Sequence, residues 1–134
     1  MKFEIKGRYW KNEKTFPSLN DYIHELGRNP KAGGSMKRKY ENIACDALRA
    51  SLRGFKAKDV VTLHYRFYEP QKGIKRDHMN IFAFADKVIE DALCKCGIIR
   101  DDNPKCLDGS KITHEFYYTS ETPRIEVEIV EICC

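Results

Sequence analysis

The sequence predicts an α+β domain, a mixed β-sheet with two main helices packed on it. Three observations lead there. Residues 60–68 and 124–132 alternate apolar and polar side chains, the pattern of strands with one buried side. Residues 35–53 and 80–96 repeat their apolar positions at helical spacing. The elements run strand, helix, strand, helix, strand, strand, an order that suits helices laid on a mixed sheet. With 134 residues, the chain has the length of a single domain, 1–134, and buries a core without help from metal or disulfides.

Phe3, Glu4, Ile5 and Lys6 alternate and form the first strand. Residues 16–34, FPSLNDYIHELGRNPKAGG, are rich in Pro, Asn and Gly and read as a long loop with a short helix at 19–26. Loops of that length in compact domains tend to be functional or mobile. Ser35 caps the first main helix, and Gly54 stops it after Arg53. Its stripe is Met36, Tyr40, Ile43, Ala44, Ala47 and Leu48. Lys37, Arg38 and Lys39 then occupy the first turn, where the macrodipole favours acids. Solvated lysines and a phosphate site at the helix start account for them equally well.

In the next strand Val61, Leu63, Tyr65 and Phe67 share one face, and Thr62, His64 and Arg66 the other. The basic turn EPQKGIKRD leads to Asp77. The second main helix, 80–96, buries Ile81, Ala85, Val88, Ile89, Ala92, Leu93 and Cys96, and Gly97 ends it. Asn80, Lys87 and Asp91 lie on its opposite side. After the turn IIRDDNPK come strands at 113–118 and 124–132; in the last, Ile125, Val127 and Ile129 face in while Glu126 and Glu128 face out.

The net charge of +4 is unevenly spread. Residues 1–76 hold 18 Lys/Arg against 8 Asp/Glu, and residues 77–134 hold 6 against 12. A basic half of this kind suits a nucleic-acid backbone, and it also suits a patchy solvated surface. No run of 18 apolar residues exists to span a membrane, and MKFEIKGRYW contains no apolar signal core. The expected compartment is the cytosol, where Cys45, Cys94, Cys96, Cys106, Cys133 and Cys134 stay reduced. No Cys-x2-Cys pair is present, and Cys94 and Cys96 rotate to opposite helix faces, so the thiols read as small hydrophobes rather than zinc ligands.

The acids around the second helix carry the chemistry. Asp77 precedes it, and Asp101 and Asp102 follow it. If both helix approaches reach one edge, three carboxylates converge. Hard oxygen ligands of this kind suit Mg²⁺, which activates water and offsets charge on a phosphodiester. Each piece alone has a plainer reading: Asp77 as a helix cap or Asx turn, DDNP as a turn, Lys87 as an i,i+4 partner of Asp91. His78 is a proton carrier or metal ligand on the first view and an exposed histidine on the second. His24, His64 and His114 have no motif around them, and no Walker loop, GxGxxG or GxSxG is present.

FPSLNDYI, GGSMKRKYEN and KRDHMNIFAFADKVIEDALCKCGIIRDDNPK, followed by HEFYY and PRIEVEI, resemble the phage-type RusA family of Holliday-junction resolvases in order and spacing. The resemblance spans nearly the whole chain and is most specific over residues 75–105. It implies a RusA-like α+β fold and a homodimeric, Mg²⁺-dependent endonuclease (Mn²⁺ as a substitute) that cuts branched DNA in recombination and repair. It implies a phage or prophage origin and a bacterial cytoplasm as the place of action. By position, Asp77 matches the first aspartate of the family's Asp-x-Asp-Asn motif, Asn80 its asparagine, and Asp101 and Asp102 the later Asp-Asp pair. Lys87 matches the catalytic helix lysine, and Arg76 the basic residue before the motif. The expected metal ligands are Asp77, Asp101 and Asp102. Asp77, Asp102 and Lys87 are the expected catalytic residues, and Lys31, Lys37, Arg38, Lys39, Lys75 and Arg76 the expected backbone contacts.

One position departs from the pattern. Met79 stands where the motif has its second aspartate, and a thioether is a poor Mg²⁺ ligand. Asp91 is better placed than Asp86 to compensate. Met79 therefore also admits a junction-binding protein that no longer cuts. A third reading has Tyr65, Phe67, Tyr117 and Tyr118 stacking on single strands or RNA.

Overall fold

A computed structural model describes residues 1–10 and 15–132, so Cys133 and Cys134 lie outside the described residues. The fold is α+β with a mixed four-stranded sheet, in the order β1-β4-β2-β3. Strand β1 (Lys2–Lys6) pairs antiparallel with β4 (Arg124–Glu131). The central β2 (Val61–Pro70) pairs antiparallel with β4 and parallel with β3 (Thr113–Thr119). Parallel neighbours need a crossover, and α3 (His78–Lys95) supplies it.

The alternation does its expected work. Phe3 and Ile5, Val61, Leu63, Tyr65 and Phe67, and Ile125, Val127 and Ile129 all bury on one sheet face. Helices α2 (Pro30–Leu52) and α3 cover that face with Tyr40, Ala44, Leu48, Phe84, Val88 and Ile89. The other face is charged, with Glu4, Glu126, Arg66 and Glu115 in one row across the strands.

Residues 16–34 are not a long loop. They form α1 (Leu19–Arg28) and the start of α2 (Pro30–Leu52), which makes three helices rather than two. The turn-forming residues act as helix punctuation. Ser18 and Asp21 form a reciprocal capping box, with Ser18 N–H donating to Asp21 Oδ2 at 2.8 Å and Asp21 N–H to Ser18 Oγ at 3.2 Å. Asn29 closes α1 and caps α2 by accepting from Ala32 N–H at 2.7 Å. Pro30 takes the first helical position, where its missing N–H costs nothing. Gly33 is buried where a Cβ would run into Leu26 of α1.

This start moves the basic cluster. Ser35 lies inside α2 and is not its cap, so Lys37, Arg38 and Lys39 sit about two turns in, away from the free N–H groups of the first turn. An anion site at a helix start does not form there. At the end of α3, Gly97 takes φ +74, and Ile98 N–H reaches back to the Leu93 carbonyl at 2.9 Å.

Candidate functional site

The chain is held firmly just before Asp77. Arg76 donates from Nε and Nη2 to the two carboxylate oxygens of Glu69 at 2.8 and 2.9 Å, and from Nη1 to the Phe16 carbonyl at 2.9 Å. Glu69 is only 7% exposed, and a carboxylate that deep needs such a partner. Asp77 follows as the N-cap of α3. Its carbonyl accepts the first intrahelical bond from Ile81 N–H at 3.1 Å, but its side chain makes no capping bond. The carboxylate is exposed and makes no hydrogen bond or ion pair among the described residues. Beside it His78 stacks face to face on Phe116 at 3.8 Å, with Nε2 3.2 Å from the Tyr118 hydroxyl. Met79 is 64% exposed, and Asn80 is half-buried.

The Asp101-Asp102 pair lies beyond the other end of α3. Asp101 is spent on its own turn, accepting from Asp102 N–H at 2.7 Å and from Asn103 Nδ2 at 3.1 Å. The Asp102 carboxylate is exposed and makes no hydrogen bond or ion pair among the described residues. It lies close enough to Glu90 and Cys94 to act on both. Burial first, then Asp86, Asp102 and Asp91, push the Glu90 carboxyl up to about 7. Burial, then Asp102 and Asp101, push the Cys94 thiol up to about 11.

Asp77, Asp101 and Asp102 do not gather as a three-ligand set among the described residues. Asp77 caps the first turn of α3, while Asp102 acts on Glu90, which lies a rise of roughly 20 Å further along the helix axis. The physical reason is the 18-residue helix between them, which separates both approaches. Among the described residues, no three His, Cys, Asp or Glu side chains gather as a metal-ligand set.

The acids that do lie close together are Asp86 and Glu90, along the middle of α3. Asp86 Oδ2 meets His114 Nε2 at 2.6 Å, while Asp86 Oδ1 is buried without a partner. Burial raises the Asp86 carboxyl, and His114 opposes that rise. The fully buried Tyr65 hydroxyl also lacks a partner, and its pKa is driven well up by burial and then by Asp86 and Glu90. The spacing of Asp86 and Glu90, four apart on one helix, was available as a signal. The link from Asp86 to His114 was not, because it crosses from α3 to β3.

The remaining site residues divide by partner. Asp91 is bound by Lys37 at 2.6 Å, and Lys37 also meets Glu41 at 2.9 Å. The two carboxylates raise the Lys37 pKa, so this lysine braces α2 to α3. Lys87 is 62% exposed and stands 3.9 Å from Asp91, a loose i,i+4 contact. Lys31 is exposed in the first turn of α2 and makes no ion pair among the described residues. Arg38 reaches Ser35 Oγ at 3.3 Å, and Lys39 lies over the Tyr40 ring at 5.0 Å. Lys39 lines a groove of about 670 Å³ beside α1 and α2 together with Asp21, His24 and Glu25, so that groove is not basic. Lys75 Nζ folds back to the Pro70 carbonyl at 3.2 Å and lies over Tyr118 at 4.7 Å.

Tyr65 and Phe67 are core side chains, 0% and 1% exposed, which removes them as stacking platforms. Tyr117 and Tyr118 are each 42% exposed, but they alternate to opposite faces of β3. Cys45, Cys94, Cys96 and Cys106 are free thiols, and burial followed by a bond with Cys96 pushes Cys45 up to about 12. No helix among the described residues is long and apolar enough to cross a membrane. The chain matches no protein-family model and no curated protein sequence.

Proposed function

We propose that this protein is a Mg²⁺-dependent endonuclease for branched DNA whose cutting sites are completed only between two copies of the chain. One observation carries the reading. Asp77 and Asp102 both present exposed carboxylates with no partner among the described residues, yet Asp77 caps the start of α3 while Asp102 acts on Glu90, roughly 20 Å further along that helix. A two-fold axis perpendicular to α3 and beside it would set the helices of two copies antiparallel. That arrangement lays Asp77 of one copy beside Asp102 of the second and makes two equivalent sites, one for each strand cut. The resemblance to the RusA resolvases supports the same homodimer.

Asp77 and Asp102 would hold the ion, whose hard oxygen ligands these carboxylates match. When bound, Mg²⁺ supplies an activated water and charge stabilisation for phosphodiester hydrolysis. Lys87, exposed midway along α3, would contact the phosphate. Asp101, already committed to its turn, orients the Asp102 backbone and so acts as a positioning residue.

A second reading rests on Met79, which leaves the site one carboxylate short. In it the protein grips branched DNA and does not cut. Purified protein, a labelled four-way junction and Mg²⁺ or Mn²⁺ decide between the two. Paired incisions near the branch point are the expected result, with Met79→Asp cutting faster. Binding without incision by the wild type, with incision restored in Met79→Asp, establishes the second reading. No binding to any branched DNA overturns both.

A further inference from the structure

Between β2 and α3 the chain makes a turn whose tip is Gly73, at φ +94, followed by Ile74, which is 99% exposed. Single exposed apolar residues are ordinary on protein surfaces. This one is unusual because the turn holding it is braced. At its base Gln71 N–H donates to the Thr119 carbonyl at 2.9 Å. Lys75 Nζ donates across the turn to the carbonyls of Pro70 and Gln71. Beyond it Arg76 is clamped to Glu69 and Phe16. The loop is thus tied at both ends while its one branched aliphatic side chain touches almost nothing.

We propose that Ile74 is a wedge that enters the base stack at a DNA branch point, an inference that rests on the branched-DNA reading above. Apolar side chains on cationic elements unstack bases in this way, and the backbone contacts beside them offset the cost. Lys72 is exposed next to the tip, and Lys75 is at its shoulder. Residues 71–76 carry Lys72, Lys75 and Arg76 and no acid. Two copies of such a loop repel across a two-fold axis, whereas a polyanion attracts it. Bases at a branch point are also the least firmly stacked, so insertion there costs least. Asp77 is only three residues on, at most about 11 Å away along the chain. The wedge would therefore fix the branch point at a short, constant offset from the phosphate held at Asp77.

The experiment uses the full chain and a four-way junction with 2-aminopurine at the branch point, in Ca²⁺ to prevent cutting. Wild-type binding should raise the fluorescence severalfold, and Ile74→Leu should keep the rise. Ile74→Ser should abolish it and weaken binding by roughly tenfold, the loss expected for one well-buried apolar contact. Its melting temperature should be unchanged, because Ile74 packs against nothing. Junction binding by the wild type without a rise, or an equal rise with Ile74→Ser, overturns the wedge and leaves the branched-DNA reading standing. A dimer that falls to monomers in Ile74→Ser also overturns it, assigning Ile74 to contact between copies. A wild type that binds no junction overturns the branched-DNA reading itself, and the wedge with it.

Discussion

The two ends of α3 treat their acids in opposite ways. At the N-terminal end Asp77 caps the helix with its carbonyl and leaves its carboxylate in solvent. From the middle of the helix onward Asp86 is tied to His114, Asp91 to Lys37, and Glu90 is crowded by three acids. Among the described residues the Glu90 and Asp102 carboxylates make no hydrogen bond or ion pair, and of these two Asp102 is the exposed one. An acid already neutralised by a fixed partner offers little to a ligand, since the ligand must first break that pair. Sorting acids by partner rather than by motif therefore separates Asp77 and Asp102, which are free to act, from acids that hold the fold.

The sharpest way to break this division is complementation. Asp77→Asn and Asp102→Asn should each lower Mg²⁺-dependent cutting by on the order of 10²-fold or more, the loss of several kcal/mol of charge stabilisation. Neither should cost more than about 0.5 kcal/mol of stability, because neither carboxylate holds a hydrogen bond. Mixing the two variants distinguishes a shared site from a site within one chain. In mixed dimers with shared sites, one site recovers both aspartates and the other loses both. Random exchange then restores about one quarter of wild-type cutting. Sites built within one chain recover nothing on mixing, and that outcome would end the two-copy reading.

Lys37 tests the other half of the comparison, the charges used for structure. Its ammonium lies between Asp91 and Glu41, with side chains 25%, 23% and 14% exposed. Lys37→Met leaves two partly buried carboxylates without their cation and should cost about 2 kcal/mol in urea unfolding. Affinity for a junction at fixed salt should change by less than about twofold, since a cation already matched releases few counterions. A large drop in affinity with unchanged stability would return Lys37 to the DNA contacts.

The sheet was legible in the sequence because alternation is local: Val61 to Phe67 and Ile125 to Ile129 bury as their pattern requires. Helix α3 was legible for the same reason. Residues 16–34 were misread because Ser18, Asn29, Pro30 and Gly33 belong equally to turns and to helix ends. Only the packing of α1 on α2 decides between the two. The candidate site was half legible. Its acids could be named from spacing, but not their arrangement, which depends on how the chain turns back after α3. Nor could Asp86 and His114 be paired, since they are 28 residues apart and meet only when β3 docks beside β2.

Glu90 gives the smallest expected effect and the most specific one, because its signature is a pH profile. Its carboxyl sits at about 7 in the folded protein against an ordinary 4.5, so the folded state holds this proton more tightly than the unfolded chain. The stabilisation from that proton is complete below pH 4.5 and is lost as pH rises through 7. Above pH 7 the wild type bears the full cost of a charged, half-buried Glu90 beside Asp86, Asp102 and Asp91. Glu90→Gln removes that charge at similar volume. It should therefore stabilise the protein at pH 8 by about 1 kcal/mol, less than the full shift implies, because solvent screens a half-exposed carboxyl. At pH 4.5 the gain should vanish, since the wild-type side chain is then neutral as well. Urea unfolding at both values reads the difference directly. An equal gain at both would trace the effect to packing, and the crowding of acids along this flank of α3 would then carry no free energy.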